Sequence, residues 1–176
     1  IISCSPETLL LKKGGLIKTK PIAGTLRKTK KINHNKALAF FRRNEKETKE
    51  HNMIVDMERN DLSKICKTGS VKIDKLKTVE EYRDLFHYVT TIKGVLKNKI
   101  TNHEIISSLM PGGSVIGCPK ISTIQLLNQK EKSDRNIYTG SFGIIHSNGD
   151  MRFNIMIRTL LNFKNDIELS VASGVI

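Results

Sequence analysis

A chain of 176 residues with 38% hydrophobic and 27% charged residues has the composition of one packed domain, or part of one, and not that of a disordered segment. No apolar run is long enough to cross a bilayer and no signal-peptide pattern is present, which argues for a cytoplasmic protein without a membrane role. The net charge of +13 suits an anionic partner. However, the lysines are scattered, aromatics are 5% with no Trp, and no nucleic-acid module is visible, which argues against a base-stacking platform.

Ile1–Cys4 reads as the inside of a strand, and Ser5-Pro6-Glu7 as a turn. Thr8–Lys12 and Leu16–Lys20 flank Gly14-Gly15, a hairpin signal. Pro21–Thr25 reads as a loop, where Gly24 allows a close backbone approach and Thr25 offers a hydroxyl. Leu26–Asn44 is basic and poorly periodic, and is expected to be irregular. From Glu45 to about Cys66 one helix is expected, because Ile54, Met57, Asp61 and Ile65 follow one face. Glu47 and Glu50 extend that face by one turn. An inward carboxylate is costly without a cation, metal or proton; the alternative is a solvated first turn, where acids suit the helix dipole. Spacing alone leaves both open. Arg59-Asn60-Asp61 reads as an internally paired, buried brace. The three cysteines, Cys4, Cys66 and Cys118, lack a metal-ligand spacing and fit a reduced compartment.

Short and long strands follow at Gly69–Ile73 and Phe86–Leu96. His87 shares a face with Leu85, Val89 and Thr91, and its near-neutral pKa suits general acid–base work. Asn102 is expected to cap a helix through Met110. Gly112-Gly113-Ser114 then reads as a turn leading into a helix that ends near Asn128, presenting free N–H groups to an anion. It lacks the P-loop order, and a purely structural glycine turn is the alternative. Tyr138–Gly143 opens a strand, Asn148-Gly149 marks a hairpin, and Asn154–Leu160 returns carrying Arg158. On an apolar strand that guanidinium needs an anionic partner, and its fork suits a carboxylate. Ile167–Ile176 reads as a final strand.

Glu47, Glu50, His51 and Met53–Leu62 together resemble the E-x-x-E-H-x-M-I-V-D-L-x-R-N-D-L signature of the chorismate-utilising enzymes. That family holds anthranilate synthase component I, aminodeoxychorismate (para-aminobenzoate) synthase component I, and the isochorismate and salicylate synthases. The last two differ around V-D-L-x-R-N-D. The resemblance covers nearly the whole chain. Ser5-Pro6-Glu7 is similar to the family's S-P-E, and Pro21–Thr25 to its P-I-[AK]-G-T. The His87 stretch is similar to H-L-V-S-x-V-x-G-x-L, and Pro111–Lys120 to a glycine-rich turn ending in P-K. Tyr138 and Asn154–Thr159 resemble Y-x-G-x-x-G and N-I-x-I-R-T.

The resemblance implies an α+β fold, part of an α/β/β/α sandwich with two antiparallel sheets. It implies Mg2+ as cofactor, with Glu50 as ligand and Glu47 in the outer shell. His87 would move protons, with Glu47 beside it in the catalytic set. Thr25 and Ser114 would line the substrate site, Arg158 and Tyr138 would hold substrate carboxylates, and the Gly174 backbone would contact one of them, although Ala172 and Ser173 depart from the family's glycine triplet. Glu7 is assigned a structural role, paired with a cation. The implied substrate is chorismate, with ammonia from a glutamine amidotransferase subunit or domain. Residues 1–176 would be the central part of a longer catalytic domain, with another metal carboxylate beyond them. Gly112-Gly113-Ser114 resembles the aminodeoxychorismate synthases. Ala23, where many of those carry Lys, resembles the anthranilate synthases. The reading adopted is amination of chorismate to aminodeoxychorismate, toward para-aminobenzoate and folate. Its alternatives are anthranilate synthase component I and, from a different class, a basic nucleic-acid-binding domain.

Overall fold

The computed structural model describes residues 1–172. The first elements are strands β1 (Ile2–Ser3), β2 (Thr8–Lys13), β3 (Leu16–Lys20) and β4 (Ile22–Arg27), then helices α1 (His34–Arg43) and α2 (Glu45–Ile65). Strands β5 (Lys72–Glu81) and β6 (Leu85–Val95) precede helix α3 (Asn102–Leu109), a 3-10 turn at Gly113–Val115 and helix α4 (Lys120–Lys130). Strands β7 (Ser141–Ile145), β8 (Met151–Ile155), β9 (Thr159–Asn162) and β10 (Ile167–Leu169) follow.

The strands form two antiparallel sheets, as the α+β expectation requires. One has the order β4-β6-β3-β2-β8-β7 with β5 also on β6; the other has the order β1-β9-β10. Strand β6 is the spine of the larger sheet. Its first half pairs with β4 and its second half with β3, while β5 runs along its opposite edge. The β2–β3 hairpin forms where expected, turning at Gly14 with φ +56°. That left-handed backbone carries no steric cost for glycine.

Helix α2 ends within a residue of the expected point. Asn44 caps it by accepting from the Glu47 amide at 3.2 Å. Its buried face carries Val55, Leu62 and Ile65, which pack with Leu10 and Ile17 of the hairpin and Ile92 of β6. A second core joins Ala37 and Phe41 of α1 to Val79, Phe86 and Tyr88 of the sheet. No helix among the described residues is long and apolar enough to cross a membrane.

Several local expectations change. Residues 21–44, read as a loop and an irregular stretch, contain β4 and α1. The helix carries its own signals, an Asn33 cap and Ala37, Phe40 and Phe41 at helical spacing, set in a short stretch dominated by cations. The short strand at Gly69–Ile73 is instead a turn followed by the long β5. Thr101, not Asn102, caps α3 through a reciprocal capping box with Glu104. Arg59 pairs with Asp56, while Asp61 pairs with Lys64 and Lys120, so the expected Arg59–Asp61 brace does not form. The strand expected through Arg158 is broken between β8 and β9, and Arg158 sits in the break with φ +50°. The final strand is only β10; Gly174 lies outside the described residues.

Candidate active site

Thr25 lies opposite His87 in the β4–β6 register, so two residues far apart in sequence face one another. The Thr25 hydroxyl and His87 Nδ1 are 3.0 Å apart, and Arg158 donates to the same hydroxyl at 3.4 Å. Tyr82 packs edge-on against the imidazole at 5.3 Å. His87 is buried, and that burial, followed by the Arg158 charge, lowers its pKa. The imidazole is therefore neutral near pH 7 and able to take a proton. Arg158 itself is exposed and makes no ion pair among the described residues, which leaves its guanidinium open to an anion from outside the chain. Its left-handed backbone is a costly conformation for a non-glycine residue, and such strain gathers at binding sites.

Glu7 was expected to pair with a cation. Instead it is buried without an ion pair, and its Oε1 has no hydrogen-bond partner. Ser114 of the 3-10 turn and the Arg158 guanidinium lie beside it. Burial outweighs both and pushes its carboxyl up to about 7. Below it, Glu58 of α2 is also buried and is pushed up to about 8, first by burial and further by Glu7 and Asp61. Sequence reading missed Glu58. The signal was its place four residues after Ile54, on the buried face of α2. The glycine turn differs from the anion cradle expected of it. Three residues and Pro119 separate the 3-10 turn from α4, so it does not open that helix. A Cβ on Gly113 would come within 2.5 Å of Met57 Cε, so this glycine serves the close packing of the turn on α2.

At the start of α2, Glu47 and Glu50 are half-buried, and Glu47 reaches β4 at Gly24. Glu47 Oε2 is buried with no partner and would lie 2.9 Å from a Cβ on Gly24. Burial, then the neighbouring Glu50 charge, raises the Glu47 pKa. Two adjacent carboxylates, one with an orphaned inward oxygen, are a donor set that suits a hard divalent cation. Among the described residues they are not joined by a third acidic, His or Cys group. Next to them His51 is fully buried, with Nε2 close to the Thr90 hydroxyl. Burial followed by the Lys77 charge holds its pKa down to about 4. Tyr138 lines a small crevice with Thr159, Leu161 and Glu168, and no hydrogen bond joins it to the Thr25–His87–Arg158 group.

The two raised carboxyls predict how stability depends on pH. Each binds its proton more tightly folded than unfolded, so stability is lost as pH rises from 4.5 through about 8. His51 acts with the opposite sign, below 6.5. Between pH 6.5 and 8 the urea midpoint should therefore fall, and Glu58→Gln should flatten that slope.

Comparison with known proteins identifies the family and the fold. The family model described as chorismate binding enzyme matches residues 1–176. Aminodeoxychorismate synthase component 1 of Bacillus subtilis is 39% identical over all of this chain and 38% of its own length. An anthranilate synthase component I-like protein of Synechocystis is 37% identical over all of this chain and 36% of its own. The crystal structure of anthranilate synthase component I from Streptococcus pneumoniae superposes with a TM-score of 0.79 at 37% identity, over 90% of this chain and 35% of that one. The chain thus spans little more than a third of the length of these relatives.

Proposed function

The chain belongs to the chorismate-binding enzymes, and we propose that the protein carrying it aminates chorismate to aminodeoxychorismate, with ammonia from a glutamine amidotransferase partner. The observation that carries the chemistry is the convergence of Glu7, Thr25, His87 and Arg158 from four separate segments. Arg158 offers its fork to a substrate carboxylate, and Thr25 fixes it against His87. Glu7, still protonated in part at neutral pH, gives a proton to the departing ring hydroxyl, which leaves as water. Neutral His87 accepts the proton released as ammonia becomes the ring amine. Ser114 and Tyr138 complete the substrate walls. Glu50 and Glu47 would hold Mg2+, which when bound would supply positive charge for a substrate carboxylate. The alternative, anthranilate formation, is favoured by Ala23, which places no amine on β4 beside Gly24.

Mass-resolved product analysis of the full-length protein with chorismate, Mg2+ and ammonium tests this reading. Aminodeoxychorismate is the expected product. Anthranilate with pyruvate would move the protein to the alternative, and no turnover would overturn both. The metal reading has its own test: Mg2+ should raise the melting temperature of the wild type and not that of Glu50→Ala.

A further inference from the structure

Beside the Thr25–His87–Arg158 group lies a cluster of buried oxygens, of which the chemistry above uses only those of Glu7 and Ser114. Glu7 and Glu58 are only 4% and 6% exposed, and neither forms an ion pair among the described residues. Four oxygens there lack hydrogen-bond partners: Glu7 Oε1, Glu58 Oε2, Thr19 Oγ1 and Ser114 Oγ. They come from the entry to β2, from α2, from β3 and from the 3-10 turn, so the packing of four segments converges on them. The Thr19 hydroxyl lies beside Glu58 and the Ser114 hydroxyl beside Glu7, without aligned hydrogen bonds.

The charged groups facing this cluster are few. On the Glu7 side there is Arg158, which is bonded to Thr25. On the Glu58 side there are Asp61 and Lys120, which are paired with each other at 2.5 Å. The nearby cation is thus already committed to another carboxylate. Two ionised carboxylates cannot share such a space without a cation, whereas a proton on one or both relieves the repulsion. Such pairs titrate together, not as independent groups.

We propose that Glu58 is a proton-carrying partner of Glu7: the two carboxyls act as one buried acid pair, and Glu58 returns to Glu7 the proton that Glu7 spends on the substrate. The inference rests on the reading of Glu7 as the acid. In each turnover Glu7 gives its proton to the departing hydroxyl and becomes a carboxylate. Glu58 then protonates that carboxylate and is itself left ionised. Solvent restores the Glu58 proton from the side of the Asp61–Lys120–Lys64 network, where the Lys64 side chain is 54% exposed. The proton taken up from solvent on this side is matched by the one that His87 accepts from the incoming ammonia and releases, so exchange of the hydroxyl for the amine, with loss of water, is proton-neutral overall. Glu58 touches no substrate atom and is a positioning residue.

Carboxyl 13C NMR of the full-length protein, labelled at glutamate and titrated with pH, reads the pair directly. Two glutamates should titrate well above all others, one vanishing in Glu7→Gln and one in Glu58→Gln. In Glu7→Gln the remaining Glu58 midpoint should fall, because the charge that opposes its ionisation is gone. Ordinary titration of both groups, or a Glu58 midpoint indifferent to Glu7→Gln, overturns the pair. In turnover, Glu58→Gln should lower kcat about tenfold or more at unchanged KM, with partial recovery in Glu58→Asp. An unchanged kcat overturns the resupply. Full turnover by Glu7→Gln with coupled titrations would sink the assignment of Glu7 as the acid, and the resupply with it. Loss of turnover in Glu7→Gln with uncoupled titrations would sink the pair alone.

Discussion

Glu7→Gln is expected to lower kcat for chorismate amination by about 10²–10⁴-fold, the range of a lost general acid, with KM nearly unchanged. Glutamine keeps the shape of the side chain and its place beside Ser114, so substrate binding through Arg158 survives. It cannot give a proton to a leaving hydroxyl. The pH profile carries the second half of the result. Burial pushes the Glu7 carboxyl up to about 7, and the protonated form is the active one. The wild-type rate should therefore decline as pH rises through about 7, and that limb should be missing from the residual rate of the variant. Steady-state kinetics from pH 5 to 9 check both. A variant with wild-type kcat would return Glu7 to a structural role.

Phe41→Ala is expected to destabilise the fold by about 3–5 kcal/mol, the usual cost of emptying a buried phenylalanine site. Phe41 has no exposed surface and stacks on Tyr88 of β6, ring centroids 4.9 Å apart and 9° from parallel. It also sets how closely α1 approaches β4, since a Cβ on Gly24 would lie 2.7 Å from its ring. The neighbours are the paired strands β4 and β6, which cannot collapse into the space without moving Thr25 away from His87. The loss should appear as a lower midpoint in urea at unchanged slope, with Phe41→Leu losing less. A loss below about 1 kcal/mol would mean that α1 is not anchored through this ring.

Local signals carried the α2 helix, the β2–β3 hairpin and the β6 strand almost to the residue. Their turns and periodicities are written within a few neighbouring positions, as in Gly14-Gly15 and in Ile54, Met57, Asp61 and Ile65. The α+β class and the family were legible for the same reason, since the motif around Glu47, Glu50 and His51 is contiguous. Helix α1 was not read, although Asn33 caps it and Ala37, Phe40 and Phe41 repeat at helical spacing, because the basic composition of residues 26–44 outweighed that short pattern. Arg158 was placed on a continuous strand because the sequence alternates through it. The backbone instead breaks there and turns left-handed.

The site separates the two sources most clearly. The sequence by itself determined which side chains are present and the element on which most of them ride. Whether Glu7 and Glu58 meet water or each other was decided only by the packing of α2 and the 3-10 turn against β2 and β3. The cost of burying a carboxylate depends on what surrounds it in space. For Glu7, neighbours such as Ser114 and Arg158 lie more than half the chain away, beyond the reach of any local pattern.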